Sequence, residues 1–212
     1  AFGGSAALQM SFSCILEEGD EILIPEPFYP NYATFVRVTG ASIRPIPTSP
    51  EEGYRFARRE KIEPLINERT RAILVTNPGN PTGVVLRREE MRLLADIARE
   101  HGLFLIGDEV YRELVYNGAP VSSFLEFTDA AENVIVVDSI SKRFSATGAR
   151  VGAILSRNRE LMGHAMKICQ GRLCTATLDQ VGAAALYGVD PSYFAETRDE
   201  YRRRRDVCYR KL

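Results

Sequence analysis

Short, almost wholly apolar runs alternate along the chain with longer stretches in which apolar residues recur every three or four positions. The short runs cover residues 21–24, 71–76 ("RAILVT"), 103–107 ("LFLIG"), 134–137 ("VIVV") and 151–155, with 42–47 as an extended segment. Their length and branched side chains predict buried strands. The periodic stretches predict helices at 5–16, 31–38, 61–67, 88–101, 160–169, 178–187 and 192–210. The helix at 88–101 is the clearest: Met91, Leu94, Ala95 and Ala98 form one stripe, and Gly102 follows His101 as a helix end requires. Strands without polar alternation, separated by amphipathic helices, imply a mainly parallel sheet covered on both faces, an α/β three-layer αβα sandwich. In such sheets ligands sit just beyond the carboxyl ends of the strands, so chemistry is to be sought there.

Composition narrows the function classes. The 212 residues suffice for one sizeable core. A net charge of −1 gives no general attraction to nucleic acid or membrane, and no apolar run approaches a membrane span. The basic run 202–205 is interleaved with Glu196, Asp199, Glu200 and Asp206, which reads as an ion-paired helix face. Four cysteines (Cys14, Cys169, Cys174, Cys208) lack C-x-x-C spacing and the two histidines are isolated, so reduced thiols and a cytoplasmic location without a metal site are expected. His101 and His164 read as packing or surface residues.

Three strand ends carry polar residues of mixed type. After "ILVT" comes "NPGNPTG" (77–83), after "LFLI" comes "GDEVY" (107–111), and after "VIVVD" comes "SISK" (139–142). Each has a plain reading: a turn, a helix cap, a solvated lysine. Together with Arg150 they suit one cofactor, pyridoxal 5'-phosphate (PLP). A lysine amine can form a Schiff base with its aldehyde. An aspartate can pair with its protonated pyridine nitrogen and keep the ring an electron sink. A tyrosine hydroxyl and an asparagine amide can donate to its phenolate oxygen. Arginine and serine can grip its phosphate, completed by a glycine-led helix N-terminus such as "FGGSAAL".

The ordered motifs "NPGNPTG", "DEVY" and "SISKRFSATGARVG" resemble those of the fold-type I PLP enzymes, the class I/II aminotransferases of the aspartate aminotransferase group. The resemblance runs from Gly3 to about Leu186. It implies that Lys142 is the Schiff-base lysine and proton shuttle, Asp108 the pyridine-nitrogen partner, and Tyr111 and Asn80 the pair at the phenolate oxygen. Ser139 and Arg150 would be phosphate ligands, with Ser141 a secondary candidate. Gly4 and Ser5, beside Gly3, would form the phosphate turn, and Tyr29 would stack on the ring face, although "PFYPNY" also reads as a packed turn. The implied catalytic residues are Lys142, Asp108 and Tyr111.

The resemblance further implies transfer of an amino group between an L-amino acid, aspartate being the commonest case, and a 2-oxo acid, in a homodimer. Residues 1–188 would form the PLP-binding large domain. Residues 189–212 would begin the helix leading to a small C-terminal domain, so that the chain is part of a longer protein. A C–S lyase-like enzyme of the same fold, and a PLP-binding effector domain of a transcription regulator, are the alternatives.

Overall fold

The computed structural model describes residues 1–173 and 175–212. Strands β1 (Glu21–Pro25), β2 (Ser42–Ile46), β3 (Thr70–Thr76), β4 (Phe104–Asp108), β5 (Val134–Ser139) and β6 (Gly152–Leu155) form one sheet in the order β2-β1-β3-β4-β5-β6. All neighbours are parallel except β6, which runs antiparallel to β5. The helices are α1 (Gly3–Ile15), α2 (Asn31–Arg37), α3 (Arg59–Ile62), α4 (Arg88–Glu100), α5 (Ile140–Arg143), α6 (Arg159–Arg172), α7 (Thr177–Leu186) and α8 (Ser192–Lys211).

Successive strand residues point to opposite faces, and both faces are buried. Leu23, Ile73, Val75, Leu105, Val134 and Val136 pack with Met91, Leu94, Ala95 and Ala98 of α4. Ile22, Ile24, Ala72, Leu74, Ile106, Ile135 and Val137 pack with Ala7, Leu8 and Phe12 of α1, Phe35 and Val36 of α2, and Leu161 of α6. The middle strands therefore read as unbroken apolar runs. The three-layer αβα sandwich is the expected one. A smaller cluster, Ile140, Phe144 and Ala183, receives Tyr193 and Phe194 from the start of α8.

Four local expectations need correction or extension. The helix expected at 61–67 is α3 at Arg59–Ile62 followed by a 3₁₀ turn at Glu63–Leu65. Pro64 supplies no N–H, and Ile66 turns extended (φ −76°, ψ 132°). The first helix begins at Gly3, so the glycines form its first turn instead of preceding it. The strand expected at 134–137 continues through Asp138 and Ser139, because these pair with Ala153 and Gly152. The strand expected at 151–155 starts at Gly152, with Val151 bridged to Phe2. Cys174 lies outside the described residues.

The charged face expected at 202–205 is present: Arg202 pairs with Asp199, Arg203 and Arg204 with Glu200, and Arg205 with Asp206. No helix among the described residues is long and apolar enough to cross a membrane.

Candidate active site

A cleft of about 300 Å³ opens at the carboxyl ends of β3, β4 and β5. Its walls include all nine residues expected from the sequence: Gly4, Ser5, Tyr29, Asn80, Asp108, Tyr111, Ser139, Lys142 and Arg150.

Asp108 is the last residue of β4 and is buried. Its Oδ2 accepts a hydrogen bond from the Tyr32 hydroxyl at 2.6 Å, and its Oδ1 lies 3.4 Å from the Val110 N–H. Burial pushes the Asp108 carboxyl up to about 6, opposed by these two donors and, more weakly, by Lys142. The site thus contains a buried acid whose ionised form calls for a cation.

Tyr111 lies three residues beyond Asp108, and Asn80 Nδ2 donates to its hydroxyl at 3.2 Å. Burial and the Asp108 charge raise the Tyr111 phenol above its ordinary range, so it is a neutral donor. Asn77, in the same loop as Asn80, does different work. It is fully buried; its Oδ1 accepts from Leu86 N–H at 2.9 Å, and its own N–H donates to the Asp108 carbonyl at 3.0 Å. One asparagine of "NPGNPTG" pins the loop to the fold, and the other faces the cleft.

Lys142 stands on α5, the single turn that follows β5, with Nζ 5.7 Å from the centre of the Tyr111 ring. Tyr29 stands edge-on to Tyr32, ring centres 5.4 Å apart at 85°. The Tyr29 hydroxyl accepts from Asn31 Nδ2 at 2.7 Å.

The opposite corner is cationic. The N-terminus of α1 opens there with no acidic side chain in its first turn, and it carries the partial positive charge of a helix start. Arg150 lies against it in a left-handed conformation (φ 54°), with Nη1 donating to the Thr147 carbonyl at 2.9 Å. The close approach needs glycine. A Cβ on Gly3, itself at φ +76°, would fall 2.3 Å from Arg150 Nη2. A Cβ on Gly152 would fall 2.5 Å from the Gly3 carbonyl carbon. Ser141 Oγ is buried beside this corner without a hydrogen-bond partner among the described residues.

The donor set fits PLP. An anion corner, a neutral phenol paired with an amide, a buried carboxylate and a primary amine line one cleft.

Sequence reasoning missed Tyr32 and Thr76. The Thr76 hydroxyl lies 2.8 Å from the Tyr32 oxygen, and because Tyr32 donates to Asp108, Thr76 donates to Tyr32. The residues of this relay are 44 and 76 positions apart in sequence. The only local signal was a polar tip on a helix face otherwise buried through Phe35 and Val36.

An α/β cofactor-binding domain is what the fold and cleft define, and comparison with known proteins makes this specific. The sequence model described as "Aminotransferase class I and II" matches residues 1–212, and the chain belongs to that family, whose members use PLP. It is 35% identical to the "Probable aspartate/prephenate aminotransferase" of Thermus aquaticus, covering 99% of this chain and 55% of that protein. It is 32% identical to the aspartate aminotransferase of Pyrococcus abyssi, covering 99% and 54%. Among solved structures it superposes on an aromatic aminotransferase from Pyrococcus horikoshii with TM-score 0.91 and 31% identity, covering 100% of this chain and 57% of that one. A Thermus thermophilus aspartate aminotransferase with maleate gives 0.87 at 32% identity, covering 97% and 53%. The chain spans about half the length of the curated relatives it matches.

Proposed function

We propose that this chain is the PLP-binding part of an aminotransferase that moves an amino group from an L-amino acid to a 2-oxo acid. The observation that carries the reading is the convergence on one cleft of Asp108 and Tyr111 from the end of β4, Lys142 from the turn after β5 and Arg150 from the loop before β6. When bound, PLP supplies an electron sink for the charge left at the substrate α-carbon. Arg150, Ser139 and the Gly4–Ser5 turn would hold the phosphate. Asp108, kept in place by Tyr32, would compensate a proton on the pyridine nitrogen. Tyr111 and Asn80 would donate to the phenolate oxygen, and Tyr29 would cover one face of the ring. Lys142 Nζ would be the amine that holds the cofactor through its aldehyde and, when free, the base that carries a proton to and from the substrate α-carbon.

Aspartate is the amino donor we favour, since several relatives bear that name. Residues 1–188 form the cofactor domain in this reading, and residues 189–212 lead out of it. A cytoplasmic homodimer is part of the same proposal; Met166 on α6 and Leu178 and Val181 on α7 are exposed apolar side chains that a second copy would cover.

The experiment is a visible spectrum with PLP, followed by borohydride reduction and peptide mapping. Wild type should acquire a stable cofactor adduct on Lys142, and Lys142→Ala should lose both band and adduct. An unchanged band in that variant would overturn the assignment. Return of the aminated cofactor to PLP by a 2-oxo acid separates transamination from lyase chemistry.

A further inference from the structure

A four-residue helix has no stability of its own. Yet α5 presents Lys142, and its N-cap residue Ser139 makes no side-chain capping bond. The turn is instead clasped from both sides. Arg143, next to the lysine, donates from Nη2 to Asp138 Oδ2 at 2.7 Å, and the two side chains are only 12% and 16% exposed. Asp138 Oδ1 accepts the Ser139 N–H at 2.8 Å, so one carboxylate joins the end of β5 to the lysine turn. Arg143 Nε is buried without a hydrogen-bond acceptor among the described residues and lies 3.8 Å from Glu113 Oε1. Glu113 Oε2 in turn lies 3.9 Å from Arg198 Nη1 on α8. The Tyr187 ring centre lies 5.9 Å from the Arg143 guanidinium.

We propose that Arg143 is a positioning residue for Lys142: clasped by Asp138 and drawn toward Glu113, it fixes the turn that aims Lys142 Nζ into the cleft. This rests on Lys142 being the cofactor-bearing lysine. The physical reason is that a charge-assisted, largely shielded pair sets a narrow geometry, whereas the turn's own backbone bonds do not. Small misplacements of a reacting amine cost much rate. Through Glu113 the same clasp reaches Arg198 on α8.

The test uses the holoenzyme with Arg143→Met, Arg143→Lys, Asp138→Asn and the double variant Asp138→Asn/Arg143→Met. Arg143→Met should lower kcat roughly ten- to hundredfold, with KM for the amino acid little changed and the pH midpoint of the bound-cofactor band displaced. Arg143→Lys should recover part of both. Asp138→Asn should repeat the loss, and the double variant should be no worse than the poorer single one. Wild-type kcat and band midpoint in Arg143→Met, or losses that multiply in the double variant, would overturn the proposal. If Arg143→Met does not fold, as judged by circular dichroism, Asp138→Asn decides alone: a wild-type kcat there sinks it. Borohydride trapping reports separately on the lysine. An adduct that persists in Lys142→Ala faults the underlying assignment and not the clasp.

Discussion

The Tyr32 hydroxyl donates to Asp108 Oδ2 at 2.6 Å, linking α2 to the end of β4 beneath the cleft. The bond occupies one carboxylate oxygen and leaves Oδ1, among the described residues, with a long contact to the Val110 N–H. Tyr32→Phe removes the stronger of the two donors. A hydrogen bond to a buried charged group is worth about 1.5–3 kcal/mol. PLP should therefore bind roughly tenfold more weakly or worse, measured by fluorescence titration. An unchanged Kd would mean that Asp108 is held by its strand alone.

Asp108 also sets a pH dependence of the apoprotein. Its carboxyl lies at about 6 in the fold, against 3.8 for the free side chain. Between those values the folded chain holds a proton that the unfolded chain has lost. The group therefore favours folding at low pH and withdraws that support as pH rises through about 6. Roughly two units correspond to about 3 kcal/mol. The urea midpoint of wild type relative to Asp108→Asn should fall between about pH 4 and about pH 7. A rise in that difference would show that Asp108 is stabilised as an anion by the fold.

The two asparagines of the loop at 77–83 should separate stability from cofactor binding. Asn77→Ala orphans the buried Leu86 N–H and should cost about 1–3 kcal/mol. At a temperature where the variant is folded, PLP affinity should be near that of wild type. Asn80→Ala should leave the unfolding free energy within about 0.5 kcal/mol of wild type and shift the bound-cofactor band. Equal behaviour of the two variants would contradict the division of labour.

Gly152→Ala probes from behind the cationic corner proposed to hold the phosphate. The added methyl would meet backbone atoms at 2.5 and 2.7 Å, where no flexible side chain can yield. We expect a loss of about 1–3 kcal/mol in stability, together with weaker binding of PLP than of phosphate-free pyridoxal relative to wild type. If the PLP-to-pyridoxal affinity ratio is unchanged, Gly152 does not shape that corner.

The strands and most helices were legible in the sequence because each has a local signature, and the nine cleft residues were legible through the strand-end motifs and the family resemblance that those motifs carry. Apolar runs mark β3 to β5, and strand-end motifs mark Asn80, Asp108 and Lys142. What was not legible depends on partners far apart in the chain. Tyr32 matters because of Thr76 and Asp108, and a helical tyrosine carries no sign of either. Asp138 and Arg143 frame the lysine motif in plain view, but a charged residue at a strand end usually faces solvent. Only the nearby Glu113 and Tyr187 show this pair to be shielded. The expected helix at 61–67 failed for a local reason, since Pro64 outweighs the periodicity around it.

The cationic corner is closed by residues 1–4 meeting residues 150–152, through the Phe2–Val151 bridge and the Gly152 N–H bonded to the Ala1 carbonyl at 3.0 Å. Nearly the whole domain is enclosed by that closure. Contacts of such long sequence separation are slow to form, since their entropy is lost before they return any stabilisation. Competence to capture the cofactor is thus expected to come late in folding. A nascent chain can carry its lysine motif in a nearly complete sheet and still lack the corner that holds the anion, so refolding measured by PLP capture should lag refolding measured by helical ellipticity.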